Sequence, residues 1–137
     1  TKFTLRMACT LPRLDVSYKS EKVGEDLYKV DVTLHNLGYL PTYLTDSLLE
    51  LQLEHSIHVT LNGDITFVVG KMHEEIEKLE GYGCIPSTLG FYANISTLAY
   101  DPLKQTLSYI IKAKEGTNLE LTVESHKTGK TVKTINL

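Results

Sequence analysis

The strictest pattern in the sequence is the alternation of residues 26–36, which read DLYKVDVTLHN. In an extended chain every second residue points to the same side, so this stretch has one apolar side made of Tyr28, Val30, Val32 and Leu34. The opposite side, made of Leu27, Lys29, Asp31 and Thr33, is mostly polar. A period of two cannot form the apolar stripe of a helix, so the stretch predicts a half-buried β-strand.

Strand signals recur along most of the chain, at residues 14–20, 56–61, 65–70, 105–113, 119–125 and 131–137. The turn Asn62-Gly63-Asp64 predicts a hairpin between two of these strands, because Asn-Gly readily adopts positive φ. With residues 71–80 the total is about eight short strands. That number and spacing predict an all-β fold, an immunoglobulin-like antiparallel β-sandwich. The chain has no Trp and hence no Cys–Trp–Cys core, which excludes an antibody-type domain.

Residues 71–80, KMHEEIEKLE, carry conflicting signals. Met72, Ile76 and Leu79 have helical spacing, and Gly81 stands where a helix often ends. The strands on both sides favour another strand. We expect a strand here, with a helix as the alternative.

The domain is predicted to span residues 13–137. Residues 1–12 have no clear period and stop at Pro12, so they are interpreted as a connector from a preceding domain. Thr45 is suited to cap one short helical segment in which Leu48, Leu49 and Gln52 share a side.

Composition narrows the function classes. A chain of 137 residues is long enough for one core without disulfides or metals, and its net charge of −3 argues against a nucleic-acid surface. No run approaches the ~20 apolar residues of a membrane span. Cys9 and Cys84 are too few for a disulfide scaffold, so two free thiols in a reducing cytoplasm are the simpler interpretation, with pairing left open.

The sequence HNLGYLPTYLT at residues 35–45 interrupts the strand pattern. Asn36 is expected to accept a hydrogen bond from the backbone two residues on, and Gly38 to adopt positive φ. Pro41 forces Leu40 into an extended conformation. Asn36, Gly38 and Pro41 are therefore predicted to form a structural corner, with Tyr39, Leu40 and Tyr43 projecting as a candidate interdomain contact.

The sequence carries no catalytic or metal-binding motif. His55 and His58 lie three residues apart, but no third ligand follows, and His73 with Glu74 and Glu75 reads as a solvated charged segment. No histidine is followed three residues later by Glu, and there is no nucleophile elbow or phosphate-binding loop. We therefore predict no catalytic residue, no metal and no cofactor in this chain.

Three blocks give the sequence a family resemblance. LYKVDVTLHNLGYLPTYLT resembles the opening of the C-terminal β-sandwich domain of bacterial zinc carboxypeptidases of the M14 type. VVGKMHEEIEKLEGY and the closing LSYIIKAKEGTNLELTVESHKTGKTVKTINL resemble later blocks, with Tyr109 where a Trp is common. The resemblance implies that zinc and the peptidase chemistry belong to a preceding catalytic domain, and that this chain packs against it.

Two functions are expected from this. The first is a non-catalytic accessory domain of a zinc carboxypeptidase, structural or substrate-positioning. The alternative is a stand-alone immunoglobulin-like module that binds a cell-wall glycan or a protein. Glycan binding is the weaker expectation: sugars stack on planar aromatic side chains, and the chain has eight Tyr, three Phe and no Trp, but tyrosines at the core edge or in a domain contact explain these residues more simply.

Overall fold

The computed structural model of the protein describes residues 1–42, 56–83 and 101–137. In these ranges it has one helix and eight strands: α1 (Lys2–Ala8), β1 (Leu14–Gly24), β2 (Leu27–Asn36), β3 (Ile57–Asn62), β4 (Thr66–Val69), β5 (His73–Ile76), β6 (Lys104–Lys112), β7 (Asn118–Ser125) and β8 (Gly129–Asn136). The helix predicted after Thr45 lies outside the described residues.

The strands form two four-stranded antiparallel sheets, in the orders β1-β2-β6-β4 and β5-β3-β7-β8. These orders correspond to the A-B-E-D and C-F-G sheets of an immunoglobulin fold, with β5 as an additional strand beside β3. The predicted immunoglobulin-like sandwich is confirmed.

The core lies between the two sheets, where the alternating patterns place their apolar sides. The buried side of β2 consists of Tyr28, Val30, Val32 and Leu34, as its sequence predicts. The second sheet contributes a matching layer from β3 and β7, which includes Val59, Leu61, Leu119, Leu121 and Val123. A one-residue slip in any of these strands would turn its apolar side to water, so the pattern fixes the register.

Side chains tie the edge strands β1 and β8 together across the sandwich. The Tyr18 hydroxyl donates to the Thr134 carbonyl at 3.2 Å, and Lys133 Nζ donates to the Val16 carbonyl. On the other edge the chain itself crosses from β4 to β5. Both edges of the sandwich are thus connected.

The predicted hairpin at Asn62-Gly63-Asp64 is wrong. β3 lies between β5 and β7 in one sheet, whereas β4 pairs with β6 in the other, so the turn carries the chain across the sandwich. Gly63 is not among the glycines with positive φ. A Cβ at Gly63 would lie 2.5 Å from the Leu119 side chain, so it is the lack of a side chain that suits glycine to this crossing.

Residues 73–76 form the predicted strand, and the helical alternative does not occur. Ile57 pairs with Ile76 and Thr60 with His73, so tertiary pairing overrides the local helical spacing. Ile76 and Leu79 are buried, but Met72, the third member of the helical triplet, is exposed.

The N-terminal segment contains the helix α1, which the sequence did not predict. None of its residues is buried. Within the described ranges, no helix is long and apolar enough to cross a membrane.

Candidate interaction site at the Asn36 corner

The side chain of Asn36 holds together three separate pieces of backbone where β2 ends. Its Oδ1 accepts hydrogen bonds from the Gly38 amide at 2.9 Å and from the Arg13 amide at 3.1 Å. Its Nδ2 donates to the carbonyls of Leu40 at 2.9 Å and Glu80 at 3.0 Å. Asn36 is fully buried, so each of its four bonds replaces one with water. We call this arrangement the Asn36 hub.

Only an asparagine side chain suits this position well. Two amide protons face two carbonyls, and one oxygen faces two amides, so both donor sites and both lone pairs are used. A carboxylate of the same shape would direct a second oxygen at the Leu40 and Glu80 carbonyls. The bond to Gly38 is the predicted turn bond; those to Arg13 and Glu80 are tertiary, and no sequence pattern signals them.

Gly38 is needed at the corner for a different reason from the one predicted. Positive φ is found at Gly70, Gly116 and Gly129 but not at Gly38, so the expectation of a left-handed conformation is wrong. The backbone of residues 11–13 passes directly over Gly38. A Cβ there would lie 2.6 Å from the Pro12 Cα and 2.8 Å from the Arg13 nitrogen. Because glycine has no side chain, the backbone of the corner and that of residues 11–13 can come into contact here.

The backbone of residues 37–40 makes hydrogen bonds to two other backbone segments, one on each side. On one side the Leu37 amide donates to the Arg13 carbonyl at 2.7 Å, and the Leu40 amide donates to the Thr10 carbonyl at 2.9 Å. The connector therefore runs alongside residues 37–40 in the opposite direction. The connector is therefore fixed to the sandwich at residues 10–13.

On the other side, residues 37–40 meet the segment that follows β5. The amide of Tyr82 donates to the Gly38 carbonyl at 3.1 Å, and the amide of Gly83 donates to the Tyr39 carbonyl at 2.9 Å. A Cβ at Gly81 would lie 2.5 Å from the Leu40 carbonyl oxygen. Gly81 is thus a second close backbone approach rather than a helix end.

The corner continues into a buried pair that the sequence did not reveal. The Thr42 amide donates to the Leu79 carbonyl at 3.0 Å, and the Leu79 amide donates to Thr42 Oγ1 at 3.1 Å. Pro41 is buried between this pair and the hub. The predicted corner residues Asn36, Gly38 and Pro41 therefore lie together at one end of the sandwich.

The corner carries four large apolar or aromatic side chains that are exposed. Leu11, Leu37, Tyr39 and Tyr82 are all large, and between 41% and 57% of their surface is accessible. We call these four residues the corner face. Of the predicted contact residues, Tyr39 belongs to this face, Leu40 is half-buried, and Tyr43 lies outside the described residues.

Away from the corner, a cleft lies along β3 and β5, but its described residues do not form a set of metal ligands. Its walls include His58, whose Nδ1 lies 3.5 Å from Glu75 Oε1, and His73, whose Nδ1 lies 3.0 Å from Thr60 Oγ1. In the described parts of the chain, no group of three or more His, Cys, Asp or Glu residues is placed to hold a metal ion. His55, the other member of the predicted pair, lies outside those parts, as does Cys84, while Cys9 is a free, exposed thiol.

Tyr109 carries the one strongly shifted titratable group among the described residues. Burial, with a smaller contribution from the Glu74 carboxylate, raises the pKa of the Tyr109 phenol to about 12. The Tyr109 hydroxyl has no hydrogen-bond partner among the described residues. Its ring packs edge-on against Phe67 at 6.2 Å in the core, so this residue belongs to packing.

Comparison with known proteins gives the chain a family. Nothing among curated proteins or solved structures matches it. One family model matches residues 14–136, from the first residue of β1 to the last residue of β8, and leaves α1 outside. The chain therefore belongs to the family described as Domain of unknown function (DUF8731).

Proposed function

We propose that this chain is a non-catalytic C-terminal accessory domain of a zinc-dependent carboxypeptidase, with a structural or substrate-positioning role. The observation that carries the proposal is the Asn36 hub. The hub and the backbone bonds beside it fix residues 10–13 to the end of the sandwich. A domain attached ahead of residue 1 is then separated from a rigid anchor only by α1.

The sequence resemblance supplies the class of the preceding domain. In M14-type carboxypeptidases, catalysis belongs to the domain ahead of the sandwich, which carries the zinc ligands. The family match to residues 14–136 supports a sandwich unit that begins after the connector. The exposed Tyr39 and Tyr82 supply apolar area for a contact with that domain.

The test is the parent protein. We expect its reading frame to encode a His-x-x-Glu and a later His upstream of Thr1, and the parent to remove C-terminal residues from peptides. The 137-residue chain alone should neither cleave peptides nor retain zinc after dialysis. A reading frame that starts at Thr1, or stoichiometric zinc that only a chelator removes from this chain, would contradict the proposal.

The alternative is a stand-alone module that binds a cell-wall glycan or a protein, and the corner face favours it in one respect. Tyr39 and Tyr82 are half-exposed on hydrogen-bonded neighbouring segments, as a platform for sugar stacking requires. Calorimetric titration with cell-wall oligosaccharides decides between the two. Binding that Tyr39→Ala and Tyr82→Ala each abolish would favour the module.

A further inference from the structure

The helix α1 is not covered by the described part of the domain that carries it. It has seven residues, and none of them is buried. Phe3 and Met7, which are four residues apart and so share one side of the helix, are 74% and 51% exposed; Leu5, on the opposite side, is 69% exposed. Isolated helices shorter than about 12–15 residues are marginal in water, and most helical stability in proteins comes from packing an apolar face. α1 therefore lacks, among the described residues, the cover that would stabilise it.

The position of α1 links it to the corner face. The Thr10 hydroxyl donates to the Met7 carbonyl at 2.7 Å, and the Thr10 carbonyl accepts from the Leu40 amide. The helix thus ends directly where the connector joins the corner. Leu11, which follows, lies in the connector between Thr10 and Arg13, whose carbonyls accept the bonds from residues 40 and 37. The apolar side chains of α1 and the corner face therefore belong to one end of the molecule.

The charge of this end differs from that of the rest of the chain. Residues 1–13 contain three basic residues, Lys2, Arg6 and Arg13, and no acidic residue. The acidic residues beside the hub, Glu80 and Asp101, each lie near a lysine Nζ, at 2.9 Å and 3.8 Å, so they do not offset this positive charge. The whole chain has a net charge of −3. A second copy docked on this end would bring like charges together, which disfavours a symmetric dimer here. An acidic surface is the complement.

We propose that α1 and the corner face form one docking surface for a protein surface that is apolar at its centre and acidic at its rim. The inference rests on the proposed function, under which that partner surface belongs to the preceding domain of the same protein. Apolar side chains fill the centre of such an interface, while charges at the rim select the partner and its orientation.

Hydrogen–deuterium exchange tests this surface in two proteins. In the 137-residue chain alone, the amides of residues 5–9 should exchange at nearly the rate of an unfolded peptide. In the parent protein, the same amides and that of Tyr82 should exchange at least tenfold more slowly. Raising NaCl from 50 to 500 mM should reduce the protection of residues 5–9 several-fold, because rim charges are screened.

Substitutions in the parent protein locate the surface. Met7→Asp and Arg6→Glu should each restore fast exchange in α1, and Arg6→Lys should retain the protection. The matched control is Val132→Asp. Val132 is 50% exposed, but it lies on β8, a strand of the sandwich, and its substitution should leave α1 protected. Equal melting temperatures of the 137-residue variants will show that the sandwich itself is intact.

Several results would overturn the docking surface. Slow exchange of α1 in the monomeric 137-residue chain would mean that the chain covers its own helix. Protection that rises with the concentration of the chain would identify a second copy, and protection by phosphatidylserine vesicles would identify a membrane. A parent protein that protects another face of the sandwich would also refute it.

The two proposals fail differently. If the parent protein lacks the zinc ligands but still protects α1 from exchange, the carboxypeptidase proposal is refuted and the docking surface stands. If the parent protein is a zinc carboxypeptidase but its preceding domain leaves α1 unprotected from exchange, the docking surface is refuted and the carboxypeptidase proposal stands. If the reading frame has no upstream domain, the proposed function falls, and exchange in the chain alone still tests whether α1 is uncovered.

Discussion

Replacing Asn36 by alanine removes all four hydrogen bonds of the hub at once. The Gly38 amide, which is buried, would lose its hydrogen-bond acceptor, while the other three bonds of the hub are only partly buried. A lost bond costs about 1 kcal/mol, and a buried group left without a partner costs about 1–3 kcal/mol. We therefore expect Asn36→Ala to lower the free energy of unfolding by roughly 4 kcal/mol.

Urea denaturation at pH 7 measures this loss. The matched control is Asn136→Ala, an exposed asparagine at the end of β8, which should change the stability by less than about 0.5 kcal/mol. A loss below about 1 kcal/mol for Asn36→Ala would refute the reasoning, because the amide would then not be what holds the three segments together.

Asn36→Asp separates the donors of the hub from its acceptor. The aspartate keeps the oxygen that faces Gly38 and Arg13, but it directs a negative oxygen at two carbonyls. Burial beside carbonyl oxygens favours the neutral acid, so the pKa of this carboxyl should rise on folding. The deficit relative to the native protein should therefore be largest at pH 7 and shrink as the pH falls and the acid is protonated.

Three further predictions follow from the described contacts. Gly38→Ala should cost more than Gly116→Ala in urea, because a Cβ at Gly38 meets the connector backbone whereas Gly116, at φ +83°, has open space and only conformational strain; equal losses would refute the close approach. Tyr109→Phe should be neutral or stabilising by about 1 kcal/mol at pH 7, since it removes a buried hydroxyl that has no hydrogen-bond partner in the described ranges. A pKa raised to about 12 means that the folded state holds the phenolic proton more tightly, so native stability should fall from pH 10 to pH 12 and fall less in Tyr109→Phe; identical alkaline denaturation curves would contradict this. Tyr39→Ala should reduce the activity or stability of the parent protein more than the stability of the 137-residue chain, and equal losses in both proteins would show that Tyr39 only supports the fold.

The alternation of single strands predicted the fold, because a half-buried strand must place its apolar residues two apart. β2 is the clearest example: its predicted apolar side is its buried side. The pairing of strands was less predictable. Asn62-Gly63 is typical of a tight hairpin, but the strand that follows it, β4, pairs with β6 in the other sheet and not with β3. Local turn chemistry does not say which sheet a strand enters.

At the corner, too, the residues that matter were predictable from the sequence but their contacts were not. The residues Asn36 and Gly38 stood out in the sequence because asparagine and glycine mark departures from a strand. What they contact did not stand out, because Arg13 and Glu80 lie 23 and 44 residues from Asn36. Gly38 was therefore assigned a backbone conformation that it does not adopt. Its true constraint is a neighbouring backbone, which only the fold brings there.

The energetics of α1 favour a partner within the same protein. Burying Phe3, Met7 and Leu11 would contribute about 1.5–3 kcal/mol each, or roughly 4.5–9 kcal/mol in total. Ordering the seven residues of α1 would cost about 1–2 kcal/mol each, or roughly 7–14 kcal/mol. The burial does not exceed the ordering cost, so a free partner would gain little from the helix. A tethered partner meets the surface at an effective concentration of about millimolar, and it does not lose translational freedom again. The bonds that hold residues 10–13 also keep the connector from adding to the ordering cost. A docking surface built in this way suits a domain that is already attached to it.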